Sequence, residues 1–425
     1  VTEKILSRNW ELPDSHTLRV YLEHGGYKAL EKGLRTMKPE QIVEEVLAAN
    51  LQGRGGAGFP TGKKWKFLPP PDGKPRYLVV NADEAEPGTF KDRLILEKDP
   101  HMLIEGIALA GYATQATHCF IYIRGEYLEP RERIEAALDE ARKAGYIGSN
   151  ILGSGYSLPV SITVGAGAYI CGEEMAMLES IEGKKGWPRL KPPYPATVGL
   201  FRRPTVINNV ETIACIPHIV ARGGKWFAGL GSPGNGGTKL YAVSGDVEKP
   251  GVIELPMGTT VRQVIEACGG VRGGKKVKAV IPGGVSAQVL TADELDVPMD
   301  FTSLLKAGSM LGSAGVIVMD EDRDLMQALE AILEFFARES CGQCTPCREG
   351  TDWSHRIVRR ILEGKGRPED LDDLLDIAVN MDGTTICPLA QGASWALSSF
   401  VKKFRSEFEA RIARGAGEKA EVRAR

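Results

Sequence analysis

The chain has 425 residues, 43% of them hydrophobic and 25% charged, with 53 basic against 55 acidic side chains. Such a length accommodates roughly two to four domains and a sizeable buried core. The formal charge of −2 gives no global attraction to nucleic acid or anionic lipid, and no apolar run of about 18 residues reads as a membrane span.

The N-terminal "VTEKILSRNWELPDSHTLRVYLEHGGYKAL" has neither the apolar core of a signal peptide nor an Arg/Ser-rich, acid-poor transit pattern. The expectation is a cytoplasmic chain or one already processed. Residues 1–70 read as mixed helix and loop, with amphipathic spacing in "KPEQIVEEVLAANL" followed by the glycine stretch "GRGGAGFPTGKKW". Over 71–235, β-type runs ("RYLVVNAD", "HCFIYIRGE", "LPVSITVGAG") alternate with helical patterns ("HMLIEGIALAGYAT", "PRERIEAALDEARKAG"). That alternation predicts βαβ units and a mainly parallel sheet. Residues 238–320 predict a small α+β domain of β-grasp type: a hairpin turned by Pro250–Gly251, a helix capped by Thr259 or Thr260, then short strands in "VKAVIPGG" and "GVIVMDED". From 321 to 425, apolar residues at three- and four-residue spacing predict a helical bundle, with "QGASWALSSFVKKFRSEFEARI" as its last helix and the tail "ARGAGEKAEVRAR" frayed.

The eight cysteines divide into two groups. Cys119, Cys171, Cys215 and Cys268 are isolated, most of them in apolar or Gly-rich surroundings, where a free thiol acts as a small hydrophobe. In "ESCGQCTPCREG", Cys341, Cys344 and Cys347 recur every third residue. Disulfides between such neighbours would constrain little and leave an odd thiol. Cys387, in "TICPLA", supplies a fourth ligand, and Pro388 suits the first turn of a helix. Three clustered cysteines plus one before proline suit a 4Fe–4S cluster. A four-cysteine zinc site is the alternative, although zinc sites of that kind usually pair two CxxC knuckles.

The glycine stretch has five glycines within ten residues, followed by Lys63 and Lys64. Exposed successive amides make an anion nest, and Arg54 and the lysines add positive charge. It matches neither the P-loop nor a strand-led GxGxxG. Taken alone, a glycine-rich connector explains it nearly as well. Three further segments place polar groups behind strands, where open α/β sheets bind ligands. They are Asn81, Asp83, Glu84 and Glu86 in "VVNADEAEPGTFKDR", Glu173 and Glu174 with Lys191 after "VGAGAYICGEE", and Asn208 and Asn209 in "RPTVINNVET". Each glutamate taken singly reads equally as a helix cap.

Together these motifs resemble the flavin subunit (NADH-binding, 51-kDa type) of respiratory complex I, NADH:quinone oxidoreductase, in order over about residues 40–400. The resemblance implies a multidomain α/β chain: a Rossmann-like FMN-binding domain, a β-grasp-like domain and a helical bundle carrying one 4Fe–4S cluster. It implies that Gly53, Arg54, Gly55, Lys64, Asn81, Asp83, Glu173, Asn208 and Asn209 surround FMN, with the asparagines nearest the phosphate. Phe59 and Phe67 would flank adenine. Glu86, Tyr169, Glu174 and Lys191 would contact the nicotinamide nucleotide, Glu86 positioning the nicotinamide, and Cys341, Cys344, Cys347 and Cys387 would ligate the cluster. No side chain is expected to act as acid, base or nucleophile, because a flavin carries hydride from NADH to single-electron chemistry. Implied partners are a thioredoxin-like 2Fe–2S subunit, a larger multi-cluster subunit and the rest of complex I. Those place the chain in the peripheral arm, on the cytoplasmic side of a bacterial inner membrane or the matrix side in mitochondria. Two other readings stand beside this one: the diaphorase subunit of an NAD-linked hydrogenase or formate dehydrogenase, and a non-redox binding protein with structural zinc.

Overall fold

The computed structural model describes the backbone of residues 3–424 and side chains as far as residue 415. Four strands, β1 (Tyr77–Ala82), β2 (His118–Ile123), β3 (Val160–Val164) and β4 (Thr205–Asn209), form a fully parallel sheet in the order β3-β2-β1-β4. Side chains alternate across a strand. Leu78, Val80 and Ala82 of β1 therefore join a core built with the N-terminal helices, while Val79 joins Tyr122, Ile207 and the C-terminal helices on the other face. Both faces are covered, which is why "YLVV" reads as an unbroken apolar run.

Helix Pro100–Thr114 is buried almost all round. Asp99 caps it by accepting from the Met102 N–H, and Pro100 occupies the first turn, where its missing N–H goes unneeded. The chain enters the sheet at β1, works outward through β2 and β3, then returns to add β4 on the opposite side of β1. The strand order thus reverses between β1 and β4, and open α/β sheets bind ligands beyond the carboxyl ends of the strands at such a reversal.

A second, mixed sheet follows in the chain. Strands β5 (Thr238–Gly245) and β6 (Gly251–Pro256) form the expected hairpin. Next come β7 (Val277–Ile281), the two-residue β8 (Leu290–Thr291) and β9 (Gly315–Asp320). Strand β9 pairs parallel to β5 and antiparallel to β7, giving the order β6-β5-β9-β7-β8. Strand β8 carries too short a pattern to read from sequence. Thr260 rather than Thr259 caps helix Val261–Ala267, in a reciprocal box with Gln263.

The last third is helical: Leu325–Glu339, Thr345–Leu362, Asp370–Met381, Leu389–Lys403 and Arg405–Ala424. Leu325, Leu329, Leu333 and Phe336 form one buried stripe. The segment expected as one final helix is two, divided at Phe404, where φ is −119°. The tail expected to fray continues the helix to Ala424; its Ala, Glu, Lys and Arg are all good helix formers. Among the described residues no helix is long and apolar enough to cross a membrane.

Candidate functional site

The glycine loop is closed at its base. The Gly53 N–H donates to the Phe59 carbonyl (2.9 Å) and the Thr61 N–H to the Leu51 carbonyl (2.9 Å). Its second half, expected as loop, winds into helix Thr61–Lys66. The loop lies over the end of β4: a Cβ added at Gly55 would stand 3.2 Å from the Asn209 Cβ. Asn209 is the lateral neighbour of Asn81 across the β1–β4 pair. The glycine backbone and both strand ends therefore lie together at the topological reversal.

Asn81 donates through Nδ2 to the Gly172 carbonyl (2.9 Å) and accepts from the Asp83 N–H (3.0 Å). This ties the β1 end to the turn after β3. Asp83 Oδ2 is buried without a partner. Burial pushes its carboxyl up to about 7, with Arg124 opposing and Glu126 and Glu339 adding to the rise. An orphaned buried oxygen at the end of β1 suits a ligand that brings its own donor.

Asn208 accepts from Trp65 Nε1 (2.9 Å). Asn209 is more fully used: its Oδ1 accepts from the Glu211 N–H (2.9 Å) and its Nδ2 donates to Asp92 (2.5 Å). Behind it lies a buried ionic network that no sequence motif announces. Lys91 pairs with Asp92 (2.7 Å) and Glu211 (2.8 Å), and Glu211 pairs with Lys239 (2.5 Å), a residue of β5. Burial pushes the Glu211 carboxyl up, but Lys239, Lys91 and Arg54 outweigh it and hold the group at about 2. The Arg54 side chain is fully buried; its Nη2 donates to the Gly236 carbonyl (2.7 Å), which joins the glycine loop to the segment entering β5.

Phe59 and Phe67 stand side by side, 43% and 60% exposed, with ring centroids 6.0 Å apart. Two exposed aromatics flanking helix Thr61–Lys66 make a surface suited to a planar base. Glu173 caps helix Glu174–Ile181, accepting from Met175 and Ala176 N–H groups, and also binds Lys191 (3.0 Å). Lys191 reaches Glu174 as well (2.6 Å), so these two carboxylates outweigh its burial and raise its pKa. Lys64 donates to the Ile207 carbonyl (3.1 Å); burial lowers its pKa, with Glu174 opposing. Glu86 accepts from the Tyr169 hydroxyl (2.5 Å) and from Ser286, a residue that sequence reasoning did not single out.

The four cysteines gather at the start of two helices. Cys344 precedes helix Thr345–Leu362, and Cys387 with Pro388 precedes helix Leu389–Lys403. The Ile386 N–H approaches Cys344 Sγ at 3.5 Å, bringing the distant segment onto the cysteine loop. Burial pushes the Cys347 thiol up and that of Cys387 up to about 12, so ligation here releases protons. All eight cysteines are free thiols, and the four isolated ones are buried. Among the described residues no three His, Cys, Asp or Glu side chains are grouped to hold a single ion. A cubane assigns one thiolate to each of four irons and needs no such convergence on one point.

The fold and its two sites define a flavoprotein that also carries an iron–sulfur centre. Residues 46–218 match the Nuo51 FMN-binding domain, 327–411 the NADH-ubiquinone oxidoreductase-F iron-sulfur binding region, and 240–290 an SLBB domain. The chain belongs to the F-subunit family of NADH-quinone oxidoreductase. It is 56% identical over 411 residues to the NADH-quinone oxidoreductase F-subunit 2 of Rhizobium meliloti (strain 1021), covering 96% of this chain and 98% of that one. The F-subunit of Streptomyces coelicolor (strain ATCC BAA-471 / A3(2) / M145) is 50% identical over 408 residues, 96% of this chain and 91% of the relative. A chain of an NAD+-reducing [NiFe]-hydrogenase, solved in its H2-reduced state, superposes with a TM-score of 0.84 at 37% identity. This chain spans 66% of that one, and 93% of this chain is covered. The iron–sulfur match encloses all four predicted cysteines and replaces the zinc alternative.

Proposed function

We propose that the chain is the NADH-oxidising subunit of a quinone-reducing respiratory complex, holding FMN in the parallel-sheet crevice and one 4Fe–4S cluster on Cys341, Cys344, Cys347 and Cys387. The carrying observation is that the two sites adjoin through Tyr169. Its hydroxyl donates to Glu86 on the nucleotide side, and its N–H donates to Glu339 (2.9 Å), two residues before Cys341. FMN, when bound, supplies the exchange between a two-electron donor and a one-electron acceptor.

The chain's own residues bind and bias. The glycine-loop amides, Asn208, Asn209 and Lys64 hold the phosphate end; Asn81, Asp83 and Glu173 border the ring; Phe59 and Phe67 take adenine. Glu86, Tyr169, Glu174 and Lys191 orient the nicotinamide half. The carboxylates of Asp83, Glu86, Glu173 and Glu174 oppose added negative charge, which favours onward release of electrons. The chain reads as a Rossmann-like domain (71–235) after an N-terminal segment (1–70), a β-grasp-like domain (238–320) and a cluster bundle (321–425). A thioredoxin-like 2Fe–2S subunit and a multi-cluster subunit are the expected neighbours, in a peripheral arm at the membrane's cytoplasmic or matrix face. The near-complete coverage of the NADH-quinone oxidoreductase relatives, against 66% of the hydrogenase chain, favours this complex over a diaphorase.

The test is NADH-dependent ferricyanide reduction by the FMN-loaded chain, compared with the FMN-free chain. Activity that requires FMN is expected; an FMN-loaded chain that leaves NADH unoxidised rejects the proposal.

A further inference from the structure

Ser286 lies in the loop between β7 and β8, about 200 residues from Glu86 along the chain, yet it makes two contacts with that carboxylate. Its N–H donates to Glu86 Oε1 (2.7 Å) and its hydroxyl to Oε2 (3.1 Å). The approach is tight. Gly284, at φ +90°, would place a Cβ 2.5 Å from Glu86 Cγ, so only glycine fits there. The loop is itself anchored: the Gly284 N–H donates to the Gly315 carbonyl of β9 (2.8 Å). On its other side Ser286 abuts Gly392, where an added Cβ would stand 3.0 Å from both the Ser286 Cβ and Oγ. Gly392 belongs to helix Leu389–Lys403, which begins just after Cys387.

We propose that the second sheet is part of the nucleotide site, and that Ser286 is a positioning residue that fixes the Glu86 carboxylate while resting on the helix that follows Cys387. The role of Glu86 toward nicotinamide rests on the function proposed above; its positioning by Ser286 does not. The groups facing Glu86 are the Tyr169 hydroxyl and Ser286, with Glu339 and Cys387 beyond Tyr169. Burial raises the Glu86 pKa, and the donors on Tyr169 and Ser286 oppose the rise. Removing one donor must therefore move the carboxyl further up.

The experiment is an infrared pH titration of the FMN-loaded protein, following the protonated-carboxyl band that disappears in Glu86→Gln. Ser286→Ala is expected to raise its midpoint by about one pH unit, and Ser286→Thr, which keeps the hydroxyl, to restore it. Gly392→Ala, which crowds Ser286 from the cluster side, is expected to shift the midpoint in the same upward direction. An unchanged midpoint in Ser286→Ala overturns the inference, as does an equal shift in Ser286→Thr. The titration needs no NADH, so a wild-type protein that fails to bind a redox-inert tetrahydro analogue of NADH would count against the proposed function and leave this result standing.

Discussion

Around the strand-order reversal, Glu211 is fully buried between Lys91 and Lys239, and Asn209 has both ends of its amide bonded. At the cysteine loop, by contrast, Cys341, Cys344 and Cys387 are partly exposed, and the thiols make few hydrogen bonds of their own. The nucleotide crevice is held in shape by the protein's own charges and amides. The cysteine loop has its backbone held but its thiols sparsely bonded, so the inorganic centre supplies the energy that organises the sulfurs. A site of the first kind stands before its cofactor arrives; a site of the second kind tightens around it.

The largest effect expected from this contrast is Cys387→Ala. Iron should be lost entirely while FMN is retained, as read by iron and flavin analysis of the purified protein. Joint loss of both would show that the crevice depends on the cluster. The next is Glu211→Gln, which leaves Lys91 and Lys239 without their shared carboxylate. Breaking a buried pair costs about 3–5 kcal/mol, so denaturant unfolding of the FMN-free chain should show a loss of that order. A change within about 0.5 kcal/mol would mean the network does not hold the crevice.

A smaller effect is expected at Asp83, whose carboxyl sits at about 7 against an ordinary 3.8. A raised folded pKa means the folded state holds this proton more tightly. Its contribution is fully present below pH about 4 and lost as pH rises toward 7. Asp83→Asn should therefore leave FMN-free stability unchanged at low pH and raise it by up to about 4 kcal/mol above pH 7. An equal difference at every pH would remove burial of the carboxylate as the cause.

The same contrast explains what could be read from sequence. The cysteines announce themselves, because three ligands share one loop and the fourth precedes a proline. The strands of the parallel sheet are equally legible as apolar runs, and the polar residues at their ends follow from α/β geometry. Lys239 is not legible: in "TKLYAVSG" it reads as the solvent-facing member of a strand, yet it is fully buried against Glu211. The junction made by Arg54 is no more legible: a basic residue among glycines carries no sign of its bond to the Gly236 carbonyl. Ser286 carries no motif at all. Its significance comes from packing that brings residues 86, 286 and 392 together, which local periodicity does not encode.

The central claim, that one chain joins an NADH site to an iron–sulfur centre through a flavin, is tested most directly by an anaerobic absorption spectrum before and after NADH. Flavin bands over a broad cluster shoulder are expected, with the flavin component bleached on addition. A protein containing both cofactors whose flavin stays oxidised in excess NADH would contradict it.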